Sequence, residues 1–250
     1  MDANTRHLQD LLQQAQQLPE VLLLKPITGS TNDDVKEIAS KGISNILVCS
    51  EQQTQGRGQH QRSWVSPEGN IYLSTLLQTT TPIDGRFALE IALNILQMPS
   101  LKGLNLQVKW PNDLYSPQGK WGGILIEPLN LHQVIVGVGI NLFPVTTELD
   151  QAVTSLQQLG LAQPNRIQLI AELYLAFQRA AQWFNHGCAN LVERFNYHAA
   201  FLNQSVDFEY LDEMLTGTFK GIDADGAVIL QHAEIQKHYY QGRLKAQINP

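Results

Sequence analysis

The chain has 250 residues, 43% of them hydrophobic and 16% charged, which is enough for one sizeable core and a small satellite domain. A formal net charge of -6 gives no overall field to attract polyanions, so general nucleic-acid binding is disfavoured. Cys49 and Cys188 lack CxxC spacing and offer neither a zinc site nor a disulfide framework, so reduced thiols in a cytoplasmic protein are expected.

The N-terminal stretch has no basic segment followed by an apolar run, so no signal peptide is expected. No segment approaches the roughly 20 apolar residues of a membrane helix. Leu8, Leu11, Leu12, Ala15 and Leu18 recur at helical spacing and predict a helix over 5–18, ended by Pro19. A short strand follows at 21–24. Ser30, Thr31 and Asn32 precede an acidic run that begins at Asp33, the pattern of a helix start capped by hydroxyl and amide groups. Strands are predicted at 46–49 and 71–77, and a helix over 86–96 that stops near Pro99.

Three strand-like runs come next, at 106–109, 123–127 and 134–140. The polar, Pro-containing stretch 143–150 reads as a mobile loop. Helices are predicted over 166–184 and 191–200. After Phe201 the texture changes to short strands at 206–210, 215–221, 227–230 and 235–240, with a turn at 223–226. Such closely spaced strands suggest a small β-barrel.

Three segments carry chemistry. Gly56 to Trp64 joins glycines, whose backbone N–H groups can approach an anion, to the permanently charged Arg57 and Arg62 and the flat face of Trp64. A solvated surface turn beside a buried Trp reads the same residues. In Val108 to Tyr115, Lys109 at a strand end stands beside Asn112 and Asp113. A cation next to a carboxylate can hold triphosphate and Mg²⁺ together, though an ordinary turn with an ion pair is equally consistent. The glycines of 119–127 and the alternating Gly137 and Gly139 leave room on one strand face for a flat ligand, or for close helix packing.

The order of these elements is more specific than any one of them. Ser-Thr-Asn at 30–32 is followed by Gln-x-Gln-Gly-Arg-Gly at 53–58 with Arg-x-Trp downstream. Lys-Trp-Pro-Asn-Asp at 109–113, Gly-Ile-Leu-x-Glu at 123–127 and Gly-x-Gly-Ile-Asn at 137–141 complete the series. The chain resembles the biotin–protein ligase family over roughly residues 21–245.

The resemblance implies an α+β fold. A mixed-sheet catalytic domain, related to class II synthetases and lipoate ligases, would occupy 1–200, and a small C-terminal SH3-like β-barrel 201–250. It implies a ligase that activates biotin with ATP to biotinyl-5'-AMP, with Mg²⁺ as cofactor. Biotin then passes to a lysine of a biotin carboxyl carrier protein, such as the acetyl-CoA carboxylase subunit. Ser30, Thr31 and Asn32 inherit the biotin site, and Gln53 the contact with the ureido ring. Arg57, Gly58 and Gln59 inherit the loop over biotin and adenylate, with Gly137 and Gly139 beneath. Lys120 falls near the biotin carboxylate and activated phosphate. Arg62, Trp64, Lys109, Asn112 and Asn141 fall on the nucleotide side, with Asp113 as the metal ligand. Arg57, Lys109 and Lys120 are the expected catalytic cations.

The loop departs from the family pattern Gly-Arg-Gly-Arg-x-Gly-Arg, because Gln59 and Gln61 replace an arginine and a glycine. One permanent charge is missing, so weaker retention of the mixed anhydride is expected unless a protonated His60 substitutes. Only about twenty residues precede the first strand, too few for a three-helix DNA reader, so operator binding is not expected. Two other functions fit the architecture: a lipoate or octanoate ligase or transferase, and a non-catalytic biotin-binding module. The Lys-Trp-Pro-Asn-Asp box and the C-terminal strands favour biotin over lipoate, and the presence of both Lys109 and Lys120 argues against a mere binding module. Sequence does not select the strand edge that docks the carrier, or one that would join a homodimer.

Overall fold

The computed structural model describes residues 2–145, 151–211 and 213–247. Helix α1 (Ala3–Gln14) starts at Asp2, whose carboxylate accepts from the Thr5 N–H, and buries Leu8 and Leu12. It ends well before Pro19, as Gln16 turns left-handed at φ 56°. Strand β1 (Val21–Thr28) is twice the expected length, because it pairs in parallel with all of β2 (Ile46–Gln53). Between them lies α2 (Thr31–Ala39). Ser30 occupies the N-cap position but makes no side-chain cap; the side chains expected to cap this helix face the cleft instead.

The sheet continues through β3 (Ile71–Gln78), α3 (Arg86–Leu96), β4 (Gln107–Lys109), β5 (Asp113–Ser116), β6 (Gly119–Pro128) and β7 (Gln133–Ile140). Sequence reading missed β5 and the first half of β6. Asp113–Ser116 follows the Pro111–Asn112 turn directly, and glycines dilute the strand signal of 119–123. The seven strands run in the order β1-β2-β3-β7-β6-β5-β4, antiparallel except for β1 with β2. Helices α4 (Arg166–Asn185) and α5 (Leu191–His198) complete this layer. Of the expected mobile loop, residues 146–150 lie outside the described residues.

Strand period sorts the two faces of the sheet. Leu47 and Cys49 of β2, Ile71 and Leu73 of β3, and Val136 and Val138 of β7 join the main core with α1, α3 and α4. Ile46, Val48, Leu76 and Ile135 face the other way and pack on Val35 of α2. Beyond this smaller cluster, that second face carries polar and glycine residues together with Tyr72 and Leu125. Register aligns Ser74 with Gly137 and Leu125, and Tyr72 with Gly139 and Gly123.

The C-terminal unit comprises β8 (Ser205–Tyr210), β9 (Glu213–Ile222), β10 (Val228–His232), β11 (Ile235–Tyr239) and β12 (Arg243–Ala246), in the order β11-β10-β9-β8-β12. All pairs are antiparallel, and β12 was not foreseen from sequence. The sheet curls enough to bring Tyr239 of β11 within 5.1 Å of Phe208 on β8, ring centre to ring centre, in keeping with an SH3-like unit. This unit is joined to the large sheet. Trp110 Nε1 donates to the Gly226 carbonyl at 2.9 Å, and just ahead of the unit the Ala200 N–H fixes the chain to the Val108 carbonyl of β4 at 2.9 Å.

Candidate active site

The glycine-bearing face of the large sheet, the 53–65 loop and the C-terminal unit enclose a cleft of about 800 Å³. Ser30, Thr31, Asn32, Gln53, Arg57, Gly58, Gln59, Arg62, Trp64, Asn112, Asp113, Lys120, Gly137, Gly139 and Asn141 all line it. Lys109 alone among the expected residues is not on the wall; it stands behind Asp113 and is 4% exposed.

One end of the cleft is a neutral polar network. Gln53 Oε1 accepts from the Thr31 backbone N–H at 2.9 Å and from the Thr31 hydroxyl at 3.1 Å. Ser74 Oγ lies 2.7 Å from Thr31 Oγ1 and donates to Asn32 Oδ1 at 2.6 Å. The Asn32 amide rests on Gly137, where any Cβ would overlap its oxygen. Donors and acceptors fixed on buried and half-buried side chains suit a small neutral polar ring.

Arg57 is not a free fork. Nη1 and Nη2 donate to Asp33 at 2.9 and 2.7 Å, while Nε and Nη2 donate to Glu127 at 3.0 Å each. The hydrogen bonds that Arg57 donates to Asp33 first, then to Glu127, push the guanidinium further up from its ordinary value. One cation thus faces two carboxylates, and an incoming anion must compete with them.

The opposite end is cationic. Asp113 Oδ2 lies 2.7 Å from Lys109 Nζ and Oδ1 2.5 Å from Lys120 Nζ. Two ammonium groups share one carboxylate, leaving one net positive charge. Burial, the largest influence on Asp113, would raise its carboxyl, but Lys120 and Lys109 outweigh it and hold the group below its usual range. Burial pushes Lys109 down, against the opposing pull of Asp113. Lys109 also donates to Gln151 Oε1 at 2.7 Å. Both oxygens of Asp113 are therefore engaged by ammonium groups, which does not fit the expected metal ligand. Among the described residues there is no group of three or more His, Cys, Asp or Glu side chains able to hold a metal.

Trp64 fills the shelf over Gly139, where a methyl group would stand 2.5 Å from its Nε1. That Nε1 is buried and, among the described residues, has no hydrogen-bond partner. Lys120 Nζ lies 5.0 Å from the Trp64 ring centre. The body packed on the glycine face in this structure is thus an indole of the chain itself. Asn112 Nδ2 donates to the Ile124 carbonyl at 2.5 Å and Asn141 Nδ2 to the Thr154 carbonyl at 3.1 Å, so both amides brace the cleft wall. Arg62 reaches Glu209 of β8 at 3.7 Å, linking the loop to the small domain.

Sequence reading missed Asp33, Ser74, Glu127, Gln151 and Glu209 as site residues. For Glu127 a signal existed: Gly123, Leu125 and Glu127 share one strand face at period two. Gln151 and Glu209 line the cleft, and Asp33 and Ser74 bond to residues of its wall, in each case only through tertiary packing.

Residues 25–141 match the family model described as "Biotin/lipoate A/B protein ligase family". Residues 201–243 match "Biotin protein ligase C terminal domain". A "Biotin--[acetyl-CoA-carboxylase] ligase" of Paracoccus denitrificans is 30% identical over 224 residues, 82% of this chain and 91% of that protein. The "Bifunctional ligase/repressor BirA" of Escherichia coli K12 is 30% identical over 231 residues, 88% of this chain and 72% of that protein. The solved biotin protein ligase from Aquifex aeolicus in complex with biotin and ATP shares the fold, with a TM-score of 0.77 at 22% identity over 90% of this chain and 98% of that one. The fold is thus that of a protein ligase with a β-rich C-terminal unit. The chain belongs to the biotin–protein ligase family.

Proposed function

We propose that this chain activates biotin with ATP to biotinyl-5'-AMP and transfers biotin to a specific lysine of a biotin carboxyl carrier protein. The observation that carries the reading is the polarity of one cleft. A neutral hydrogen-bonding network at Thr31, Asn32, Gln53 and Ser74 lies at one end, and a net-positive Lys109–Asp113–Lys120 cluster at the other. Such a cleft suits a molecule with a cyclic urea at one end and a carboxylate at the other.

In the first step the biotin carboxylate attacks the α-phosphate of ATP and pyrophosphate leaves. In the second the carrier-lysine amine attacks the biotinyl carbonyl and AMP leaves. Both steps concentrate negative charge, so positioned cations supply most of the catalysis and no protein nucleophile is assigned. Lys120 faces the reacting carboxylate and α-phosphate. Lys109 acts from behind Asp113, holding that carboxylate so that Lys120 stays in register. Arg57 and Arg62 belong to the loop that covers the intermediate and excludes water. Magnesium enters as part of the MgATP substrate, without a ligand from Asp113.

We assign the catalytic domain to 1–200 and the SH3-like domain to 201–250. The partners in this reading are ATP, biotin and the carrier, in the cytoplasm, without DNA. One observation supports the absence of DNA from this set: α1 is packed against α4 through its apolar face rather than free as a recognition helix. Among the described residues no helix is long and apolar enough to cross a membrane. Light scattering at catalytic concentration reports any homodimer.

ATP–pyrophosphate exchange with biotin and lipoate side by side is the decisive experiment. Exchange dependent on biotin is expected. Exchange with lipoate alone would make the chain a lipoate ligase, and exchange with neither, despite biotin binding, a binding module.

A further inference from the structure

The carboxylate of Glu127 stands between two parts of the cleft that act on different regions of a ligand. Its Oε2 accepts from Asn32 Nδ2 at 2.5 Å and from Arg57 Nη2 at 3.0 Å, and its Oε1 accepts from Arg57 Nε at 3.0 Å. An ionised carboxylate only accepts, so the Asn32 amide must turn its NH₂ toward it. The Asn32 carbonyl oxygen is then committed to the other side, where the Ser74 hydroxyl donates to it at 2.6 Å and Gly137 leaves it room. That oxygen has a second lone pair, Asn32 is one of the residues that line the cleft, and its side chain is buried.

We propose that Glu127 is a specificity-determining positioning residue: by fixing the orientation of the Asn32 amide, it makes this end of the cleft an acceptor that selects ligands carrying a ring N–H. The proposal rests on the biotin-activating reading above and deepens it by naming the chemistry selected. Without the carboxylate, Asn32 has two amide orientations, one presenting a donor and one an acceptor. A site that presents either loses its preference for a donor-bearing ring, because a buried group left unpaired is what makes such sites selective. Asp33 holds the far side of Arg57 and does not touch Asn32, so it separates an effect through the amide from one through the arginine.

The test compares calorimetric binding, without ATP, of biotin and of its analogue in which a ring oxygen replaces one ureido N–H. Four proteins are used: the unaltered chain, Glu127→Gln, Asp33→Asn, and the double variant Asn32→Asp with Glu127→Gln. The unaltered chain should prefer the urea, and Glu127→Gln should shrink that preference about tenfold. Asp33→Asn should leave the preference within about twofold of the unaltered chain. The double variant exchanges donor and acceptor across the same pair, keeps an acceptor facing the cleft, and should restore the preference; it also carries the test if Glu127→Gln fails to fold. A preference unchanged in Glu127→Gln, lost equally in Asp33→Asn, or absent from the folded double variant overturns the assignment. Biotin binding without pyrophosphate exchange in the unaltered chain would overturn the catalytic reading alone. Absence of biotin binding would overturn both.

Discussion

The Oδ1 atom of Asp113 lies 2.5 Å from the ammonium of Lys120, and the same ammonium stands 5.0 Å from the centre of the Trp64 ring. Lys120 is therefore steered from two sides, by a buried carboxylate and by the face of an indole. Removing its charge with Lys120→Ala should lower biotin-dependent pyrophosphate release by about 10²–10³, the usual cost of losing a positioned charge-stabilising donor. Near-normal release would refute the role given to Lys120.

The buried cluster sets two opposite pH dependences. Lys109 is pushed down by burial from its ordinary value of 10.5, so it loses its proton at a lower pH than an exposed lysine. Between its folded and unfolded values the native state binds fewer protons, so its contribution to stability rises with pH while its catalytic charge is lost. The alkaline limb of the pyrophosphate-release profile should therefore begin below pH 10.5, and Lys109→Arg should move it upward. An unmoved limb would separate Lys109 from the reaction.

Asp113 behaves in the reverse sense. Burial alone would raise its carboxyl, but Lys120 and Lys109 hold it below the ordinary 3.8. The stability it contributes is present above the unfolded value and is lost as pH falls through the folded one. Denaturant unfolding at stepped acid pH should show a steeper loss in the unaltered chain than in Asp113→Asn. Parallel curves would contradict the ion-pair account.

Gln59 occupies a position where the family loop carries an arginine, and it lines the cleft beside Arg57. Gln59→Arg restores a permanent charge near the mixed anhydride. Release of biotinyl-5'-AMP, followed by filter binding after a single turnover, should slow roughly fivefold to tenfold, in line with one added charge-assisted bond. A release rate that does not fall would show that retention depends on other cations.

Gly137 has no room for a side chain, because a Cβ would overlap the Asn32 carbonyl oxygen. Gly137→Ala should weaken biotin binding at least about tenfold and cost on the order of 1–3 kcal/mol of stability through overpacking. Calorimetry and chemical denaturation together check this; unchanged affinity would show that Asn32 is not part of the head-group site.

Much of the fold was legible because strand and helix periods are local. The 86–96 helix was read to the residue, since its apolar spacing lies within the element and Pro99 follows shortly after its end. β5 was not, because four residues between a turn and a glycine-rich hairpin have no period to display. The site residues were legible as a collinear set, and all but Lys109 reach the cleft wall. The Lys109–Asp113 pair was legible from its spacing; the other partners were not. That Lys120 shares the same carboxylate, and that Arg57 is held by Asp33 of α2 and Glu127 of β6, follows from tertiary packing. The resemblance suggested a metal ligand at position 113, but the geometry gives Asp113 two ammonium partners.

The bond from Trp110 Nε1 to the Gly226 carbonyl crosses from the Lys-Trp-Pro-Asn-Asp box to a turn of the C-terminal unit, and the indole is almost wholly buried. That turn is shaped by Asp223, which accepts from the Asp225 and Ala227 backbone N–H groups. The box is thus braced by a piece of chain whose own strands carry none of the expected catalytic residues. Chimaeras that graft a C-terminal unit from a relative would succeed or fail on this point: a graft whose 223–226 turn offers no carbonyl to the indole should fold its own sheet and still leave the nucleotide side of the cleft out of true.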